Sequence, residues 1–119
     1  MTAIKSYQDL QVWQLSIGLV KAVYTITRQL PKLEQFGLAS QINRSAVSIP
    51  SNIAEGHERH NLKEYIQFLG IARGSAAELE TQLILVQQIY ELDCSDTISQ
   101  LIVIRKMLSS LVSKLIPKT

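Results

Sequence analysis

The sequence has little that would crosslink the chain or place it in a membrane. Its 119 residues include one cysteine, Cys94, which excludes an intramolecular disulfide and a cysteine-based metal cage. A lone thiol fits a reducing compartment. The N-terminus has no apolar core of a secretory signal, and polar residues interrupt every apolar run before the ~18 residues that a membrane span needs. We therefore expect a soluble, cytoplasmic protein with no membrane contact.

Signatures of an enzyme are also missing. No serine lies in a Gly-x-Ser-x-Gly elbow, and there is no glycine-rich phosphate loop. His57 and His60 are three residues apart, which is not the spacing of a zinc-protease helix, and no glutamate precedes a histidine by three residues as in di-iron bundles. We expect no catalytic residue, no metal, no cofactor and no small-molecule substrate.

Charge is sparse and unevenly distributed along the chain. Charged residues make up 18% of the sequence and the net charge is +2. Residues 1–54 carry five basic and two acidic side chains, residues 55–93 carry three and seven, and residues 94–119 carry four and one. A net charge of +2 is too small to indicate a nucleic-acid partner by itself.

What the sequence does have is apolar residues at helical spacing, within a hydrophobic fraction of 46%. This periodicity predicts helices over residues 9–30, 40–55, 61–90 and 96–115, with N-caps at Ser40, Asn61 and either Ser95 or Asp96. Short connections make neighbouring helices antiparallel. We therefore predict an all-α, up-and-down four-helix bundle that occupies residues 1–119 as one domain.

The first helix carries two adjacent apolar stripes. The stripes consist of Leu10, Trp13, Ile17, Val20 and Tyr24, and of Val12, Leu15, Leu19, Val23, Ile26 and Leu30. Together they exceed what one face of a small bundle buries, which predicts that the protein self-associates.

Proline and glycine predict three local features. Pro50 is expected to kink the second helix, with Ser48, Ser51 and Asn52 bonding nearby backbone groups, and Gly56 is expected to end it. Gly70 and Gly74, one turn apart, predict a groove in close contact with the second helix.

A contact between Arg44 and Glu78 is expected between the second and third helices, because a carboxylate that faces a bundle interior must be paired. We interpret that contact as structural. The alternative, which stays open here, is that paired charges shape a ligand site.

Three segments resemble one protein family: DLQVWQ at residues 9–14, QINRSAVSIPSNIAEG at 41–56 and FLGIARGSAAELETQL at 68–83. The chain resembles, from about residue 7 to 115, the four-helix-bundle proteins of 23S ribosomal RNA intervening sequences. The motif residues, which the family pattern suggests are structural, are Arg44, Pro50, Asn52, Glu55, Gly56, Gly74 and Glu78.

The resemblance implies up-and-down bundles that assemble as homopentameric rings around a central opening. A similar protein, the accessory variability protein of diversity-generating retroelements, binds nucleic acid and a reverse transcriptase through a strongly basic surface. This chain lacks such a basic excess, although five copies would carry a net charge of about +10.

Two functional hypotheses follow. In the first, a ring contacts RNA, DNA or an RNA-bound partner through Lys21, Arg28, Lys32, Arg105, Lys106 and Lys114, with Lys5, Arg44 and Lys118 as further cations. In the second, the ring is a scaffold for protein partners and binds no nucleic acid. A third reading, an enzyme built on the His57–His60 loop, has no motif to support it.

Overall fold

The computed structural model describes residues 4–117 and contains four α-helices. The helices are α1 (Gln11–Thr27), α2 (Leu38–Glu58), α3 (Leu62–Tyr90) and α4 (Ser95–Leu115). Single 3-10 turns precede α1 (Tyr7–Asp9) and lie between α1 and α2 (Lys32–Glu34). No strand occurs within these 114 positions, which confirms the all-α class.

The helices form a square bundle with outer dimensions of 48 × 28 × 24 Å. Each helix packs on the next one along the chain and α4 closes the bundle against α1, whereas the two diagonal pairs do not touch within residues 4–117. The α2–α3 contact is the most extensive. The core is formed by fully buried aliphatic side chains, which include Leu19, Val23, Ile42, Ile49, Ile53, Leu69, Leu79, Leu83, Leu101 and Leu108.

One predicted helix start is confirmed and two are wrong. Asn61 caps α3, because its side-chain oxygen accepts the Glu64 N–H at 3.0 Å. Ser40 lies inside α2, which begins two residues earlier because the Gly37 carbonyl already accepts the Gln41 N–H.

The N-terminus of α4 is held by Asp93 rather than by Ser95 or Asp96. The Asp93 carboxylate accepts both the backbone N–H and the hydroxyl of Ser95, at 3.0 and 2.6 Å. These hydrogen bonds lower the pKa of Asp93. The side chain that satisfies the open helix end therefore lies two residues before the first helical residue.

Helix α2 runs through Pro50 and ends at Glu58. The Asn52 side chain donates to the Ser48 carbonyl at 2.7 Å and to the Ser48 hydroxyl at 2.8 Å, which is the local side-chain bonding that the sequence predicted around the proline. The helix is continuous there, so the kink itself stays a prediction.

The predictions for Gly56, Gly70 and Gly74 are wrong, because the close contact between α2 and α3 lies at Gly56. A Cβ atom at Gly56 would lie 2.7 Å from the Cβ of Phe68, so α2 and α3 are too close at that point to admit a side chain. Gly56 is buried inside α2 and does not end it. Gly70 and Gly74 lie on the exposed face of α3, where an added Cβ would meet nothing within 4 Å.

The expected Arg44–Glu78 ion pair is also wrong. The Glu78 carboxylate accepts a hydrogen bond from the Ser45 hydroxyl at 2.9 Å. Arg44 is exposed and forms no ion pair with any residue from 4 to 117. A neutral hydroxyl therefore satisfies the carboxylate.

Candidate nucleic-acid interface

Four basic residues gather where α1 passes into α2. Between positions 10 and 54 the chain has one acidic residue, Glu34, and four basic residues, Lys21, Arg28, Lys32 and Arg44, which we call the basic end. All four are exposed. None of them forms an ion pair in the part of the chain that the structure describes.

Helical spacing places two of these cations on either side of an aromatic ring. Lys21, Tyr24 and Arg28 are separated by three and four residues, so they occupy one face along the last turns of α1. Glu34, the one carboxylate of residues 10–54, accepts a hydrogen bond from the Tyr90 hydroxyl of α3. That hydrogen bond raises the pKa of Tyr90.

The chain segment that joins α1 to α2 is held by its own hydrogen bonds. The Gln35 side-chain amide donates to the carbonyls of Thr27 and Leu30, at 3.4 and 3.2 Å, and the Gly37 N–H donates to the Glu34 carbonyl at 3.0 Å. Leu30 is buried in the core. The position of the segment is therefore fixed relative to both helices.

A shallow depression lies between α1 and α2 beside the basic end. We call it the α1–α2 groove, and its lining includes Tyr24, Phe36, Ser40, Asn43, Arg44 and Val47. This arrangement could not be predicted from the sequence, because its residues come from two helices and the connection between them. Helical periodicity within α1 alone would have found only Tyr24 beside Lys21 and Arg28.

The three α4 cations lie elsewhere and differ among themselves. Arg105 is half-buried and paired with Glu80 of α3, whereas Lys106 and Lys114 are exposed and without an ion pair in the described range. Lys114 lies beside the first turn of α1. At 1.5 Å per helical residue, that turn is roughly 15–25 Å from the basic end.

The six candidate contacts therefore form two groups. Lys21, Arg28, Lys32 and Arg44 lie on the last turns of α1, the connection and the first turns of α2, while Arg105, Lys106 and Lys114 lie along α4. Of the further cations, Lys5 is exposed before α1, and Lys118 lies outside the described residues.

The motif residues of α2 and α3 form a polar line along the contact between these helices. The hydroxyls of Ser48 and Ser75 are 2.8 Å apart, in register with the Ser45–Glu78 hydrogen bond one turn away. Near the end of α2, Glu55 pairs with Arg59 at 3.2 Å. The Ser48–Ser75 and Ser45–Glu78 hydrogen bonds connect the two helices, and Arg59 also reaches Glu64 of α3 at 3.7 Å.

The two histidines lie at the end of α2. His57 is half-buried, and its ring meets the Tyr65 ring edge-on at 5.7 Å. His60 is exposed, with a positive φ of 52° in the turn before α3. Across residues 4–117, no three side chains of His, Cys, Asp or Glu are grouped so that they could hold a metal ion.

None of the four helices described here is long and apolar enough to cross a membrane. A family model described as 23S rRNA-intervening sequence protein matches residues 8–110. No curated protein matches the chain.

Proposed function

Since the chain belongs to the 23S rRNA-intervening sequence protein family, we propose that it is a non-enzymatic protein that contacts RNA through the basic end. The observation that carries the proposal is the presence there of four exposed basic side chains, none of which forms an ion pair with a carboxylate of residues 4–117. Cations already held in ion pairs are less free to bind phosphate, as for Arg59 with Glu55 and Glu64.

Phosphate contact is the mode that these side chains support. Lysine and arginine that bind phosphates release condensed counterions, and this release supplies most of the sequence-independent affinity. Two of the four residues are arginines, whose planar guanidinium group binds phosphate oxygens through two parallel hydrogen bonds. DNA carries the same phosphate groups, so the binding experiment includes both RNA and DNA.

We further propose that the protein acts as a homo-oligomer. Seven aliphatic side chains on α3 and α4 are exposed in one copy: Leu62, Ile71, Ile84, Leu85, Ile89, Ile102 and Val103. A second copy that covered them would remove this surface from water. The number of five copies and the ring shape are carried by the family resemblance alone.

Two exposed isoleucines of this set lie side by side. The Glu80–Arg105 ion pair fixes the register of the antiparallel helices α3 and α4. Ile84 is one turn beyond Glu80, and Ile102 is about one turn before Arg105, so both occupy the same level of the bundle. Each is 38% exposed, which makes this pair the natural centre of a contact between copies.

The likeness to the accessory variability protein of retroelements fits the same proposal. That protein uses a strongly basic surface, whereas this chain concentrates fewer cations at one end. In an assembly each copy contributes its own basic end, and the summed attraction to a polyanion grows with the number of copies.

The exposed aliphatic side chains also favour a second candidate function, a scaffold for protein partners without nucleic-acid binding. The two candidates differ in what happens at low salt. A scaffold has no reason to bind RNA even at ~50 mM salt, where phosphate contacts are strongest.

A salt series on the unmodified chain tests the proposal. Its affinity is measured by fluorescence anisotropy for labelled single-stranded RNA, the same sequence as DNA, and an RNA duplex. Three or four phosphate contacts predict a slope of log affinity against log salt of about −2 to −3. Absence of binding at low salt, or binding that does not weaken with salt, would contradict the proposal.

A further inference from the structure

Phe36 is 99% exposed, although it lies on a segment of defined conformation. Burying a phenylalanine side chain stabilises a protein by ~1.5–3 kcal/mol, so a ring held in solvent forgoes that gain. The neighbouring residues Gln35 and Gly37 are both fixed by the hydrogen bonds described above. The ring is therefore presented to solvent by a fixed backbone at the rim of the α1–α2 groove.

The opposite walls of the groove carry groups that suit a nucleotide. Arg44 is unpaired within residues 4–117, and Tyr24 is half-buried, with Lys21 and Arg28 one turn to either side. The Asn43 side-chain oxygen accepts the Thr27 hydroxyl at 2.9 Å, which orients the amide. The Asn43 Nδ2 group then keeps its two N–H donors for a ligand in the groove.

We propose that the α1–α2 groove binds an unpaired base of single-stranded RNA. The base stacks on Phe36, the Asn43 amide donates a hydrogen bond to an acceptor on the base edge, and Arg44 binds an adjacent phosphate. This inference rests on the proposed function and narrows its ligand to single strands, loops or bulges.

The aromatic ring is the reason to expect single-stranded RNA as the ligand. In a duplex each base face is covered by its neighbours, so a side chain can stack only on a base that is unstacked and turned outward. Stacking tolerates any base, because each presents a flat π face, and basic side chains beside the ring hold the backbone. The groove combines an aromatic ring and neighbouring basic side chains within two helical turns.

A nucleic acid suits the surroundings of the groove better than a second copy of this chain. Arg44 on the groove wall and Lys21 and Arg28 on either side of Tyr24 are positive, and the carboxylate of the connection, Glu34, accepts the Tyr90 hydroxyl. A second copy carries a net charge of +2, whereas a polyanion complements the groove. Contact between copies through Phe36 is the competing occupant that the experiment must separate.

The test compares Phe36→Ala with Leu33→Ala. Leu33 is a matched control because it is 81% exposed on the same connection but does not line the groove. Base stacking on one aromatic ring is worth ~1–3 kcal/mol, so Phe36→Ala is expected to weaken single-strand binding by about 5- to 150-fold. Leu33→Ala is expected to bind like the unmodified chain, and Phe36→Trp is expected to retain binding because it keeps a stacking surface.

Two further measurements identify the cause of any loss of single-strand binding. Binding of an RNA duplex is expected to stay the same in Phe36→Ala, since phosphate contacts remain. The mass of each variant by light scattering is expected to equal that of the unmodified chain. A lower mass for Phe36→Ala alone would assign Phe36 to contact between copies and overturn the inference.

The remaining outcomes separate the inference from the proposed function. If the unmodified chain binds RNA in a salt-dependent way and Phe36→Ala binds single strands equally well, only the base site is wrong. If the unmodified chain binds neither single-stranded RNA nor a duplex at low salt, the basic end is not an RNA contact and both proposals fail.

Discussion

The two halves of the chain differ in the balance and pairing of their charged residues. The first half runs through α1 and most of α2, and the second half runs through α3 and α4. From residue 10 to 54 there are four basic residues and one acidic residue, and no basic side chain there has an ion-pair partner within the described structure. From residue 55 to 117 there are six basic and eight acidic residues, and Arg59 and Arg105 are paired. The net charge of the whole chain sums the two halves, so it does not reveal the local excess of basic residues in the first half.

The two halves also differ in their exposed apolar groups. Both expose aliphatic side chains, such as Leu33 in the first half, but the fully exposed aromatic ring of Phe36 belongs to the first half, and the larger group of exposed aliphatic side chains, which includes Ile84 and Ile102, lies on α3 and α4. Flat rings beside cations suit a nucleotide, while branched aliphatic side chains suit another protein surface. On the proposals made above, the first half binds the ligand and the second half mediates self-association.

The largest effect is expected from placing charge in the aliphatic face of the second half. Replacing Ile84 and Ile102 together with Glu puts two carboxylates at the centre of the proposed contact between copies, where their desolvation is unfavourable. Light scattering is expected to show the unmodified chain above the 13.4 kDa of one copy and the double variant at that mass.

The matched control adds the same charge to the first half through Thr25→Glu and Gln41→Glu, which are both exposed and polar. This control is expected to keep the larger mass. If it dissociates as readily as the isoleucine variant, net charge rather than the aliphatic face determines assembly. A mass of 13.4 kDa for the unmodified chain would contradict self-association altogether.

A smaller effect is expected at the close contact between α2 and α3. Gly56→Ala is expected to destabilise the fold by roughly 1–3 kcal/mol, because its Cβ would lie 2.7 Å from the Phe68 Cβ and one helix must move. Gly74→Ala is the control, and it is expected to stabilise by up to ~1 kcal/mol through helix propensity, since nothing lies within 4 Å of the added atom.

Urea denaturation at fixed protein concentration measures both glycine variants. Equal free energies of unfolding for Gly56→Ala and the unmodified chain would show that the α2–α3 contact can relax without cost. Destabilisation by Gly74→Ala would indicate that its face of α3 is covered in the assembled protein.

The fold could be predicted from the sequence because apolar periodicity identifies the buried face of each helix. The α3 seam of Leu69, Ala72, Ala76, Leu79 and Leu83 is buried as that periodicity requires. Periodicity does not say which neighbour meets which part of a helix. The sequence therefore suggested a helix end at Gly56 and a close contact at Gly70 and Gly74, and only the packing shows that a neighbouring helix approaches Gly56.

The candidate interface could be predicted only in part. The sequence identifies Lys21, Arg28 and Lys32 as cations, but it does not reveal that Arg105 is paired with Glu80. Nor does it place Phe36 beside Asn43 and Arg44, since Phe36 belongs to a connection whose course depends on hydrogen bonds from Gln35. Pairing and proximity are properties of the folded chain.

The central claim, that RNA contacts the first half, is tested most directly by charge reversal in both halves. Lys21→Glu with Arg28→Glu removes two contacts of the basic end, while Lys106→Glu with Lys114→Glu changes the net charge equally on α4. The first pair is expected to lower single-stranded RNA affinity at least about tenfold and to reduce the salt slope by about 1.4, and the second to have a much smaller effect. A larger loss from the α4 pair, or equal losses from both, would contradict the account.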